Sequence, residues 1–241
     1  MSASKTRLDQ YLVTKGLAPT RSQAENLIRM GEVLVNGKPE TKPGFAVSEI
    51  AKVKVTAKEQ YVSRAGLKLA SVADKLNLDF KGKVVLDVGS STGGFTDYSL
   101  QHGATKVFAV EVGKNQLHPS LHGDPRIELH EQTDIRNFTT NQQIDIVVAD
   151  VSFISLRDIL PAVKKLTNKN TVIAVMVKPQ FEAAKDNLKH KGVIKNEKVR
   201  RDILKNFEEW AKGSFIIIDK ADSEVAGAKG NRERFMSLRS L

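Results

Sequence analysis

From residue 83 onward the chain repeats one alternation, a short apolar run followed by a longer amphipathic stretch. The runs fall at 83–88, 106–110, 126–130, 144–149 and 171–177. Their lengths suit strands, and runs that are apolar throughout suit strands covered on both faces. Helical spacing separates them at 96–102, 154–166 and 196–212, with Pro161 in the middle of the second stretch and Asn196 capping the third. Two further strand-length runs, 215–218 and 235–238, complete the pattern. Strands alternating with helices predict a mostly parallel α/β sheet with helices on both faces. At 241 residues the chain has room for that sheet and one further small module, and it buries a full core.

Composition narrows the chemistry. The chain has no cysteine, which excludes disulfides, cysteine-ligated zinc, iron–sulfur clusters and a thiol nucleophile. No run of about 18 apolar residues reads as a membrane span. Residues 1–8 lack the apolar core of a signal peptide. A cytoplasmic protein without membrane insertion is expected. Lys and Arg number 38 against 28 Asp and Glu, a formal charge of +10. The excess is spread out: residues 1–60 carry 10 basic and 6 acidic side chains, and the rest carry 28 and 22. A basic balance suits a polyanionic partner, nucleic acid before an anionic membrane.

Residues 1–60 do not share the alternation. Leu8, Tyr11, Leu12 and Leu17 set an apolar helix face after a cap signal at Thr6. Thr20 is placed to cap a second helix, 21–30, with Ala24, Leu27 and Ile28 inward and Gly31 as its stop. Residues 33–35 read as a strand, and Asn36-Gly37 is a strong two-residue hairpin signal. More strand is expected around 45–47 and 53–55, whereas 51–62, polar and lysine-rich, reads as a linker. Arg7 and Arg21 open the two helices, Arg29 ends the second, and Lys38 and Lys42 flank the hairpin. Helix starts beside arginines suit phosphate groups.

In open parallel sheets ligands bind beyond the carboxyl ends of the strands. Five strands end at, or are followed by, an ionisable residue there: Asp87, Glu111, Asp134, Asp150 and Lys178. The first also carries a glycine-rich turn, Asp87-Val-Gly-Ser-Ser-Thr-Gly-Gly-Phe95, with neither the dinucleotide nor the P-loop spacing. Gly89, Gly93 and Gly94 let a backbone pass close to a ligand and take positive φ. Glu111, 24 residues after Asp87, is placed to hold both ribose hydroxyls. Turn and acid together fit a nucleoside without a pyrophosphate, of which S-adenosylmethionine is the common one, with Asp134 beside the adenine. Lys178, at the mouth of an apolar strand, is a candidate for chemistry. Lys68, in Ser63-Arg-Ala-Gly-Leu-Lys-Leu69, is its candidate neighbour.

Longer patterns carry a resemblance. Arg7-Leu-Asp-Gln-Tyr-Leu, Gly16-Leu-Ala-Pro-Thr-Arg-Ser-Gln-Ala and Ile28-Arg-Met-Gly-Glu-Val-Leu-Val-Asn-Gly-Lys38 resemble the S4 RNA-binding domain. After them come Ser63–Leu69, the glycine turn through Asp97, Ala149-Asp-Val-Ser-Phe-Ile-Ser, Val177-Lys-Pro-Gln-Phe-Glu and Gly230-Asn-Arg-Glu233. In that order these look like the TlyA family of ribosomal RNA 2′-O-methyltransferases, which joins an S4 domain to an FtsJ-like methyltransferase domain. The resemblance implies a Rossmann-like, S-adenosylmethionine-dependent methyltransferase sheet with a small N-terminal α+β S4 domain. It divides the chain into 1–50, a linker at 51–62, and 63–241. It departs most near the C-terminus, where Ser223-Glu-Val stands in place of a Ser-Pro-Ile-like segment. The family also carries a hemolysin label, an activity that the absence of an apolar span gives no reason to expect.

By that resemblance Lys68, Asp150, Lys178 and Glu233 form the catalytic tetrad. The expected cofactor set is Asp87, Gly89, Ser91, Gly93, Gly94, Phe95, Glu111, Asp134 and Asp150. Arg7, Arg21, Lys38 and Lys42 are expected on ribosomal RNA or a ribosomal subunit. The implied reaction is attack of a ribose 2′-oxygen, of a cytidine, on a sulfonium methyl, which needs no metal. Lys178 is expected as the base in its neutral form, oriented by Asp150, with Lys68 favouring that form and Glu233 placing Lys68. A steering role for the four residues is the alternative. A non-catalytic RNA-binding assembly factor, a cytolysin and a pseudouridine synthase are the rival functions.

Overall fold

The computed structural model describes residues 5–18, 20–29, 31–56, 61–183, 193–194, 196–225, 227 and 231–241. Pro19, the expected helix end at Met30, residues 57–60 of the expected linker, and Gly230 lie outside them. The chain forms two units, Met1–Arg64 and Ala65–Leu241.

The first unit runs β1 (Lys5–Arg7), α1 (Leu8–Thr14), α2 (Arg21–Arg29), β2 (Val33–Val35), β3 (Lys38–Pro39), β4 (Ala46–Ser48) and β5 (Val53–Val55). β1 pairs antiparallel with β4, and β3-β2-β5 form a second small sheet. Leu8, Leu12, Ala24, Leu27, Ile28 and Val33 bury the inner faces of both helices and of β2. The expected Thr20 cap is present: the Gln23 amide donates to Thr20 Oγ1 at 3.3 Å, and that hydroxyl donates back to Gln23 Oε1 at 3.0 Å. Asn36 and Gly37 take φ of 50° and 81° and turn β2 into β3, as their pairing predicts. Thr6 does not cap α1. It lies in β1, and Arg7 stands at the cap position without a side-chain cap bond. The expected linker also begins too early, because β5 pairs with β2 and places Val55 opposite Val33.

The second unit holds all but the first residue of α3 (Arg64–Ala73), followed by β6 (Val84–Val88). It continues through α4 (Gly94–Gln101), β7 (Lys106–Val110), β8 (Ile127–His130), β9 (Ile146–Ala149), α5 (Leu156–Lys165) and β10 (Val172–Val177). It ends with α6 (Pro179–Glu182), α7 (Glu197–Ala211), β11 (Phe215–Asp222) and β12 (Arg234–Ser240). The sheet order is β11-β12-β10-β9-β6-β7-β8. The five strands β8-β7-β6-β9-β10 are mutually parallel, and β12 is antiparallel to both neighbours. From β6 the chain winds outward through β7 and β8, then returns to β9 on the other side of β6. The strand order therefore reverses between β6 and β9, the place where an open α/β sheet offers a crevice.

Alternation along the strands builds the core. Leu86, Val88, Val147, Ala149, Val175 and Val177 face Leu156, Ile159, Leu160 and Val163 of α5 and Leu204 and Phe207 of α7. Each such side chain, fully buried, contributes roughly 1.5–3 kcal/mol. Pro161 sits inside α5 without ending it. Among the described residues, no helix is long and apolar enough to cross a membrane.

Candidate active site

The parallel strands bring Asp87, Glu111, Asp150 and Lys178 to one edge, with Asp134 in the segment that follows β8. At the crevice Gly89 has φ +78°, and a Cβ there would lie 2.7 Å from the backbone oxygen of Asp150. The loops after β6 and β9 thus meet at a point that only glycine allows. Ser91, at φ 47°, donates its amide to Glu111 Oε2 at 2.9 Å, and the Gly113 amide donates to Oε1 at 2.7 Å. A cleft of about 280 Å³ opens here, walled by Gly89, Ser91, Glu111, Val112, Asp134, Asp150 and Phe153, among others. A carboxylate acceptor at its rim and apolar walls from Val88, Val110 and Ile135 are a set that fits the ribose hydroxyls and base of the nucleoside part of S-adenosylmethionine.

Asp87 is wholly buried beneath this cleft. Thr96 Oγ1 donates to its Oδ2 at 2.7 Å, while Oδ1 has no hydrogen-bond partner among the described residues. Burial pushes its carboxyl up to about 7; the Thr96 bond opposes the rise, and the charge of Asp150 adds to it. Gly93, at φ +88°, starts α4 and is pressed by Leu117 and Leu121, so its small size serves packing inside the protein. Gly94 is the first residue of that helix and is buried. Phe95 departs from expectation. It is 1% exposed and its ring packs 5.9 Å from that of Phe235, in the core rather than on the cleft wall. Asp134 does border the cleft, but its carboxylate is gripped by Arg136 at 2.9 and 2.6 Å and accepts the Arg136 amide. Those bonds hold it below the usual carboxylate range.

The four expected catalytic residues form two ion pairs. Lys68 Nζ, on α3, lies 2.5 Å from Glu233 Oε2, with both side chains at most 10% exposed. Lys178 Nζ lies 2.6 Å from Asp150 Oδ1 and donates to Ser152 Oγ at 2.7 Å. The sheet brings the pairs together. β12 sets Arg234 opposite Val177, which carries Glu233 beside Lys178 at the same edge. Pairing with Glu233 compensates the Lys68 charge, which weakens the expected part of Lys68 in discharging Lys178.

Three further residues complete this edge. Ser152 is the second acceptor of Lys178. Gly227 backs Glu233 so closely that a Cβ would overlap its carboxylate. Phe153 is 93% exposed at φ +66°, a strained setting for a bulky side chain, with its ring 5.3 Å from that of Phe181. Nothing in the sequence singles out Gly227, whereas Ser152 and Phe153 lie within the Asp150 motif.

In the first unit, Arg7 and Arg21 converge on Asp9. Arg7 Nη2 and Arg21 Nε lie 2.9 and 3.0 Å from Asp9 Oδ2, and the carboxylate is fully buried. The Arg7 hydrogen bond, reinforced by Arg21 against the opposing effect of burial, holds Asp9 down at about 2. The two arginine side chains remain 47% and 53% exposed. Lys38 and Lys42 are exposed and make no ion pair among the described residues.

Residues 61–240 match the FtsJ-like methyltransferase family and residues 6–50 match the S4 domain. The chain is 37% identical to the 16S/23S rRNA (cytidine-2'-O)-methyltransferase TlyA of Mycobacterium tuberculosis, over 99% of this chain and 91% of that one. It is 38% identical to Hemolysin A of Brachyspira hyodysenteriae, over 94% and 97%. A solved structure from Streptococcus thermophilus, labelled a hemolysin candidate, superposes with a TM-score of 0.73 at 34% identity, over 99% of this chain and 90% of that one. Spacing, sheet order and these likenesses agree, and the chain belongs to the TlyA family of S4-containing, FtsJ-like methyltransferases.

Proposed function

We propose that the protein methylates the ribose 2′-hydroxyl of a cytidine in ribosomal RNA, using S-adenosylmethionine. The observation that carries this reading is the double ion pair, Lys68–Glu233 and Lys178–Asp150, at the edge beside the cleft. Relatives in M. tuberculosis and Campylobacter jejuni that are named for cytidine 2'-O methylation of rRNA support the choice of target. When bound, S-adenosylmethionine supplies a methyl group on a positively charged sulfur, an activated electrophile. Gly89, Ser91 and Glu111 would hold its nucleoside, and Asp150 would face its reactive end.

The chain's own work is alignment. An aliphatic hydroxyl is a poor nucleophile while protonated, so its lone pair must be aimed and its proton given a destination. Lys178, fixed by Asp150 and Ser152, donates to the 2′-oxygen and aims it. As the new bond forms, the hydroxyl proton passes to the Asp150 carboxylate, and Lys178 stays an ammonium beside it. Lys68, fixed by Glu233, gives the same oxygen or its neighbour a second donor. The first unit supplies RNA affinity through the half-exposed Arg7 and Arg21 and the exposed Lys38 and Lys42.

Mapping 2′-O-methyl positions in ribosomal RNA with and without the protein tests the reading. A cytidine that loses its mark without the protein, and regains it with wild type but not with Lys178→Ala, supports it. An unchanged map removes it.

A further inference from the structure

Two short segments leave the sheet side by side at the active edge. One is the loop after β9, which carries Asp150, Ser152 and Phe153 into the start of α5. The other is Lys178 followed by α6. Three kinds of contact join them. Lys178 reaches Asp150 and Ser152, and the rings of Phe153 and Phe181 meet. Glu182 then closes the far end: its carboxylate accepts from Ser155 Oγ at 2.6 Å and from the Leu156 amide at 2.7 Å.

The Glu182 side chain is 1% exposed, and burial pushes its carboxyl above the usual range. A buried carboxylate is costly unless its acceptors are filled. Here both oxygens are filled, and both donors come from the neighbouring segment. Arg157 Nε lies 3.6 Å away, and its Nη2 donates to Asn206 of α7 at 2.7 Å. The clasp is thereby anchored to a helix packed on the sheet. A side chain that only capped α5 would need one bond to that helix. Glu182 instead bonds both the cap residue Ser155 and the first helical amide, from a position four residues beyond Lys178.

We propose that Glu182 is a positioning residue for methyl transfer, holding the Lys178 segment against the Asp150 loop so that the ammonium keeps its place. This rests on the methyl-transfer reading above. Glu182 is buried and spends both oxygens on Ser155 and Leu156, so its loss should act on turnover and leave binding alone. Displacing a reacting group by about 1 Å costs on the order of 10²-fold in rate. Glu182→Gln keeps the shape and one acceptor oxygen, and falls between wild type and Glu182→Ala.

The experiment measures kcat, KM for ribosomal RNA, cofactor Kd and thermal midpoint for wild type, Glu182→Gln, Glu182→Ala and Lys178→Ala. The expected result for Glu182→Ala is a kcat loss on the order of 10²-fold, with KM and Kd within about 2-fold of wild type, and partial recovery in Glu182→Gln. Should Glu182→Ala fail to fold, Glu182→Gln decides alone: a fall in kcat at constant KM and Kd supports the proposal, and wild-type turnover overturns it. A loss confined to KM, to Kd or to thermal midpoint also overturns it, leaving Glu182 a structural cap. If wild type does not methylate, or Lys178→Ala methylates normally, the functional reading fails rather than this inference.

Discussion

Both units set carboxylates among cations, with opposite results. In the first unit three arginines, Arg7, Arg21 and Arg29, share two carboxylates, Asp9 and Glu25, and the guanidiniums stay about half exposed or more. The cluster keeps a surplus positive charge at the surface. In the second unit Lys68 and Lys178 each own one carboxylate, and all four side chains are nearly buried. That cluster balances two cations against two carboxylates. Surplus charge at a surface attracts a polyanion over distance, while a balanced buried cluster fixes directions at hydrogen-bond range. The same residue types therefore bind in one place and aim in the other.

The sharpest way to break this contrast is to remove one member of the balanced cluster. Lys178→Ala should lower single-turnover methylation by roughly 10²–10⁴-fold, the range expected when positioned proton transfer is removed. Calorimetry should find cofactor binding nearly unchanged. Near-normal transfer would end the assignment of the four residues.

Next in size is the buried acid below the cleft. Asp87 has a folded value raised to about 7, so the folded state holds a proton that the unfolded state loses at lower pH. Its effect on stability is therefore unfavourable and grows as pH rises from about 4 to about 7. Asp87→Asn should remove that dependence. Its stability advantage over wild type should climb across this window to roughly 4 kcal/mol, at about 1.36 kcal/mol per pK unit, and level off above it. Urea unfolding at intervals from pH 4 to 8 measures this, and parallel curves would show that Asp87 does not titrate there.

Asp9 has the opposite sign. Its folded value, lowered to about 2, gives stability that is complete above the ordinary aspartate range and is lost as pH falls through about 2. Asp9→Asn should cost about 2 kcal/mol near neutrality, reduced by screening at the half-exposed arginines, and the cost should vanish between pH 4 and 2. A constant difference down to pH 2 would show that packing, not charge, is what the substitution removes.

The smallest effect is per residue and concerns RNA. Replacing Arg7, Arg21, Lys38 or Lys42 by Gln should flatten the log-affinity against log-salt slope by roughly 0.7–0.9 for each phosphate no longer neutralised. Lys38 and Lys42, in no ion pair among the described residues, should show this cleanly. Substituting Arg7 or Arg21 should also lower stability, because Asp9 then stays buried and less satisfied. Four substitutions with no change of slope would remove the first unit as the docking surface.

Much of the second unit was legible because unbroken apolar runs carry their own period. The parallel strands and the acids at their ends follow from it, whereas the antiparallel course of the last strand behind Glu233 is set by its pairing with β10. Side chains that act through distant partners were not legible. Nothing in the sequence singles out Asp9, yet two arginines enclose it. β5 was legible as a strand at 53–55, but Lys52 and Lys54 alternate with Val53 and Val55, and that polar face gave the same stretch the composition of a linker. Phe95 follows a ligand-like turn, and only the packing of Phe235 shows that it faces inward. Gly89 and Gly93 were legible as turns, but the atoms they make room for, the Asp150 carbonyl and two leucines, lie in other segments.

The placement of β12 has a consequence for how the protein matures. It is the last strand in sequence, yet it lies between β10 and β11, and it delivers Glu233 to a lysine 165 residues earlier. Pairings of that separation form only after the intervening chain has closed. A nascent chain with every earlier strand in place still has an open β10 edge and a Lys68 without its carboxylate. The Lys68–Glu233 pair thus waits on the insertion of β12, and the appearance of activity during refolding should report the insertion of that one strand.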